Sequence, residues 1–119
     1  MEIVFYIKKN TNKCPVKEFI EKLQAKDRAK ILACLKNVEE LGFDCPRVQF
    51  RQILGQLWEI KIRSASGGFR IFYVSMKKKT STLILLHAYK KQSQKAPKKE
   101  IEIAEQRMFE VLDNEKDYT

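Results

Sequence analysis

The stretch LWEIKIRSASGGFRIFYV, Leu57 to Val74, alternates apolar and polar residues on both sides of a segment of small residues. This period-two pattern marks half-buried strands, and Ser64 to Gly67 read as a four-residue loop joining them into a hairpin. Facing residues then have numbers summing to 131. Trp58 faces Tyr73, Ile60 faces Ile71 and Ile62 faces Phe69, three apolar cross-strand pairs on one side of the sheet. On the other side Lys61 faces Arg70, with Glu59 and Arg63 nearby. A slip of one residue would turn Arg70 into the core, so burial should fix this register. Two cations opposed across a ladder cost stability unless an anion sits between them. That is the first sign of function.

Before the hairpin, residues 2–7 (EIVFYI) are strand-like. Pro15 stands at a first helical position, and Val16, Phe19, Ile20 and Leu23 follow at helical spacing. A second helix is expected from Asp27 as N-cap to Leu41, with Ile31, Leu35 and Val38 as its apolar stripe and Gly42 as its stop. Two helices so closely joined form an antiparallel hairpin. A short extra strand is possible near 48–53. After the hairpin, a turn at Lys77-Lys78-Lys79 precedes a strand at 82–89, and Pro97 opens a last helix bearing Ile101, Ala104, Met108 and Val111 or Leu112 on one face. The predicted fold is α+β in one domain, 1–119: N-terminal strand, two-helix hairpin, antiparallel meander, C-terminal helix.

Strand 82–89 alternates Ile84, Leu86 and Ala88 with Leu83, Leu85, His87 and Tyr89. With the first set in the main core, the second joins Leu57, Phe72, Val74, Lys61, Arg63 and Arg70 on the opposite face. That face is apolar at one end and cationic at the other. Its apolar end needs a cover, from the last helix or from a partner.

The 119 residues suffice for a core burying roughly 65% of the surface of the unfolded chain. No apolar run approaches the roughly 20 residues of a membrane span, and no basic leader precedes a hydrophobic stretch. The expectation is a soluble, cytoplasmic protein without membrane partners. Cys14, Cys34 and Cys45 form an odd set with no CxxC pair, which disfavours a disulfide frame or a zinc site. The single histidine, His87, excludes any site built on two. The net charge of +9 is unevenly spread: Lys and Arg outnumber Asp and Glu by 12 to 1 over residues 51–99, and are outnumbered 2 to 7 over 100–119. Glu59 is the sole acid of the basic stretch. Such localisation points to an anion site, with nucleic acid the leading candidate.

Leu57 to Val74, together with LLHAYKKQSQKAPKKEIEIAEQRM from Leu85 to Met108, resembles the RelE/ParE toxin superfamily in its phage-derived HigB-like branch. The resemblance implies a type II toxin: a ribosome-dependent mRNA endoribonuclease, free of metal and cofactor, that inhibits translation. It also implies a cognate antitoxin, of helix-turn-helix, HigA-like type, with the ribosome and mRNA as further partners. The arginine of the family's G-[FY]-R strand corresponds to Arg70 and an exposed lysine of the preceding strand to Lys61. A second RelE lysine falls at Glu59, and the late basic and aromatic cluster matches Tyr89, Lys90 and Lys91 loosely. Cleavage through the RNA's own 2′-hydroxyl needs a proton acceptor, cations on the developing phosphorane and a donor to the leaving 5′-oxygen. Arg70 and Lys61 suit the charge and Arg63 suits phosphate positioning. Glu59 or His87 is the candidate acceptor, and Lys91 or Tyr89 the candidate donor. Lys90, Lys95, Lys98 and Lys99 add RNA-binding charge at the rim. Two alternatives compete: a ParE-like gyrase-inhibiting toxin and a non-catalytic nucleic-acid-binding module.

Overall fold

The computed structural model describes residues 1–77, 81–92 and 97–118. Lys78 and Lys79 of the expected turn, and Lys95, lie outside them. In chain order the elements are β1 (Glu2–Phe5), α1 (Pro15–Glu21), α2 (Ala25–Leu41), β2 (Gln49–Leu54), β3 (Leu57–Ser64), β4 (Gly67–Lys77), β5 (Ser81–Lys90) and α3 (Lys98–Asp113). The fold is the α+β arrangement expected, and the optional strand is real as β2. One five-stranded sheet runs β1-β5-β4-β3-β2, antiparallel except for β1, which lies parallel to β5. Among the described residues no helix is long and apolar enough to cross a membrane.

β3 and β4 pair in the predicted register, with Trp58 on Tyr73, Ile60 on Ile71, Lys61 on Arg70 and Ile62 on Phe69. The ladder continues to Ser64 on Gly67, so the loop is two residues, Ala65 and Ser66, rather than four. Gly67 makes this tight closure possible, because its φ of +143° would strain any side chain.

One face of the sheet packs Ile60, Ile62, Phe69, Ile71, Tyr73, Leu83, Leu85 and Ala88 against Val16 and Ile20 of α1 and Ile31, Leu35 and Val38 of α2. Burying each large apolar side chain contributes about 1.5–3 kcal/mol relative to exposure. The other face packs Leu57, Phe72, Val74, Met76, Ile84 and Leu86 against Ala104, Met108 and Val111 of α3. The last helix is therefore a cover for the apolar end of that face.

Two further expectations need correction. The alternation in β5 is interrupted: Phe72 pairs with His87 but Tyr73 pairs with Leu85, leaving Leu86 as the extra residue of a bulge. Phase changes there. Leu83 and Leu85 join the helical-hairpin side and Ile84 and Leu86 the α3 side, the reverse of simple alternation, while Ala88 and Tyr89 lie where it put them. The second correction concerns α2, which begins after Gln24. Asp27 is not its cap: it is buried in the first turn, and its carboxylate accepts hydrogen bonds from Ser64 Oγ (2.7 Å), Ser66 Oγ (2.5 Å) and Ser66 N–H (3.3 Å). The carboxylate thus ties α2 to the tip of the β3–β4 hairpin, and the two serine hydroxyls hold its pKa below the ordinary value.

Candidate nucleic-acid cleft

α3 covers only part of its face of the sheet. Beyond its edge lies a cleft of about 350 Å³, lined by Arg47, Gln49, Lys61, Ile62, Arg63, Gly68, Arg70 and Lys91. The pleat explains this membership. Gln49 pairs with Lys61, Lys61 with Arg70 and Arg63 with Gly68, so three adjacent strands present these residues on one side. Lys91 joins because its N–H donates to Gly68 O (2.8 Å), which extends the ladder past β5. Five cations line the cleft and no acid does, among the described residues.

Arg70 is anchored rather than free. Its Nη1 donates to Phe69 O (3.1 Å), and its Nε lies 3.9 Å from Glu59 Oε1. A Cβ at position 68 would stand 3.2 Å from Nη1, so the bare backbone of Gly68 is what lets the guanidinium lie down there. Lys61 has a lowered pKa, first through burial and then through repulsion from Arg51 and Arg70, with Glu59 opposing.

The other candidate residues are spread more widely. Glu59 is fully buried beneath the cleft, ion-paired with Arg51 (Nη2 to Oε1, 3.0 Å) and with Arg70. It has no open surface for a ribose hydroxyl. His87 sits under α3: its ring stacks on Phe72, its Nε2 contacts Glu100, and its Nδ1 lies 3.2 Å from Arg107 Nη1. A guanidinium can only donate, so Nδ1 is the acceptor and the imidazole is neutral, with its proton on Nε2 facing Glu100. Tyr89 pairs with Arg70 across the ladder, stacks on Phe72, and has its pKa raised by burial and then by Glu59. Lys90 points to the opposite face, with its ammonium 6.0 Å from the Phe69 ring centroid. Lys98 and Lys99 are exposed on the first turn of α3 and do not line the cleft. The cleft thus unites Lys61, Arg63, Arg70 and Lys91 from among the sequence candidates.

Sequence reasoning missed Arg47, Gln49 and Arg51. A signal existed: closing β2 and β3 around Gly55 sets Arg51 opposite Glu59, the only acid of the basic stretch.

A small α+β domain with a cation-lined cleft beside its C-terminal helix agrees with the RelE/ParE-like toxin group that the hairpin sequence resembles. Within that group, the family model described as phage derived protein Gp49-like (DUF891) matches residues 18–109, most of the chain, and the protein belongs to this toxin-like family. No curated protein matches the sequence. Membership in a toxin group implies an antitoxin partner.

Proposed function

We propose that the protein is a metal-independent endoribonuclease toxin that cuts mRNA at the ribosome and so arrests translation. The observation carrying this reading is the convergence of Lys61 and Arg70 from facing strands, with Arg47, Arg63 and Lys91 around them, in a cleft that no acid lines among the described residues. One phosphodiester is held there by Arg70 and Lys61, while Arg63 and Arg47 hold its neighbours. Neutral Lys61 takes the proton of the 2′-hydroxyl as the 2′-oxygen bonds to phosphorus. The resulting ammonium and the Arg70 guanidinium then offset the phosphorane charge. The P–O5′ bond breaks, and the leaving oxygen takes a proton from the Lys91 ammonium. The products are a 2′,3′-cyclic phosphate and a 5′-hydroxyl. Support for the cytoplasmic location and for a helix-turn-helix, HigA-like antitoxin comes from the family resemblance.

The test is induction in growing cells with mapping of mRNA 5′ ends. Cuts inside translated codons, with 5′-hydroxyl termini, are the expected result. Intact mRNA with stalled replication would favour gyrase inhibition, and intact mRNA with a retarded complex only would favour a binding module. Arg70→Ala should lower the cleavage rate by about 10²–10³, as removing one oxyanion donor does, and should leave the protein folded, because the side chain lies outside both apolar clusters. A folded and fully toxic Arg70→Ala protein would refute the assignment.

A further inference from the structure

Glu59 presents an unusual balance. Its side chain is fully buried and neither carboxylate oxygen has a hydrogen bond among the described residues. The 3.0 Å approach of Arg51 is thus an ion pair without hydrogen-bond alignment. A buried carboxylate demands a counter-charge, and two cations lie within ion-pair distance: Arg51 at 3.0 Å and Arg70 at 3.9 Å, both on the same oxygen, Oε1. Arg51 is half exposed, stands on β2 directly opposite Glu59 and does not line the cleft. It is therefore placed to act on the acid rather than on a ligand in the cleft.

We propose that Arg51 is a positioning residue for Arg70. By supplying the nearer counter-charge to Glu59, it keeps that carboxylate from drawing the Arg70 guanidinium closer than the present 3.9 Å, so that Arg70 stays available to a phosphate. Without Arg51, the nearest compensation for Glu59 is Arg70, whose Nε has less than 1 Å to travel to reach the distance Arg51 now holds. Arg70 would then turn down into the sheet and withdraw its charge from the cleft. The identity of the ligand as an RNA backbone rests on the proposed function; the link between the three side chains does not.

The experiment compares Arg51→Ala, Glu59→Gln and the double variant by two readouts. The first is the ¹⁵N–¹H signal of the Arg70 Nε–H, assigned with Arg70→Lys. The second is equilibrium binding of a single-stranded 2′-O-methyl RNA, whose blocked nucleophile prevents cleavage. Arg51→Ala should shift the Arg70 signal and weaken binding about tenfold or more, the equivalent of losing one hydrogen bond to a charged group. The double variant should return both readouts close to the starting protein, and Glu59→Gln alone should bind at least as tightly as that protein. A double variant as weak as Arg51→Ala would overturn the proposal, since it would mean that Arg51 touches RNA or merely holds β2. Weakened binding in Glu59→Gln would overturn it as well, and this variant decides the matter if Arg51→Ala does not fold. If no variant, nor the starting protein, binds RNA, the proposed function fails, while the Arg70 signal still tests the link.

Discussion

At the scale of the residue, Lys61 is the cleft cation best suited to move a proton. Burial and the flanking guanidiniums of Arg51 and Arg70 lower its pKa from the ordinary 10.5, so a larger share of it is neutral near physiological pH than of a surface lysine. If neutral Lys61 is the proton acceptor, single-turnover cleavage should rise with pH as Lys61 loses its proton. Lys61→Arg separates charge from proton transfer, because a guanidinium keeps the cation but does not deprotonate in proteins. That variant should bind the 2′-O-methyl RNA within a few-fold of the starting protein and lose about 10²–10⁴ in cleavage rate, the range that general acid–base catalysis contributes. Full cleavage by Lys61→Arg, with an unchanged pH profile, would assign the acceptor elsewhere. The opposition of Lys61 and Arg70 was legible from the numbering of the hairpin alone. What remained hidden was that Glu59, two residues away, holds one member of the pair from below.

At the scale of the element, α3 is fixed to the sheet by more than its apolar stripe. Arg107 donates to Leu86 O (2.9 Å) and approaches His87 Nδ1, Glu100 contacts the other nitrogen of that ring, and Tyr6 of the segment after β1 donates to Glu110. The groups facing His87 are Glu100 and Arg107 from α3, Phe72 from β4 and Tyr89 from its own strand. Burial outweighs Glu100 and lowers the His87 pKa below 6.5. A depressed pKa means that the unfolded chain binds the proton more readily. The contribution of neutral His87 is therefore complete above pH 6.5 and is lost as pH falls through the lower folded-state value. Urea midpoints should be level between pH 8 and 7 and drop on going to pH 5, and His87→Gln should flatten part of that drop; an equally steep drop in the variant would remove His87 from the account. This α3 lock also shows where reading the sequence stops. Apolar spacing gave the strands, both long helices and the need for a cover over the apolar end, with α3 as one of two candidates, because period and burial are local properties. The bulge at Leu86 arises from how β5 meets β4, and Asp27, inside the first turn of α2 rather than capping it, bonds instead to Ser64 and Ser66. Both are contacts between distant segments, which no local pattern encodes. β2 was seen as an option only, and its contributions to the cleft were lost with it.

At the scale of the whole molecule, the sheet sorts the net charge of +9. Lys17 and Lys26 stand exposed on α1 and α2, which cover one face, while Arg47, Lys61, Arg63, Arg70 and Lys91 gather in the cleft on the other. The acids from Glu100 to Asp113 belong to α3, which packs on the same face of the sheet as the cleft but contributes no residue to its lining. A general basic coat and a dedicated cleft make different demands on salt. If each of the five cleft cations meets a phosphate of a single strand, the slope of log K against log salt concentration is about −3.5, and raising salt from about 50 to 200 mM weakens binding about a hundredfold. Removing Arg47, at the cleft edge, should flatten the slope by about 0.7, whereas Lys17→Ala, the same loss of charge on the far face, should leave it unchanged. Titrations of one 2′-O-methyl RNA at several salt concentrations measure all three slopes. Equal flattening by Arg47→Ala and Lys17→Ala would show that the RNA feels only net charge, and the cleft would lose its claim to be the place where the strand is held.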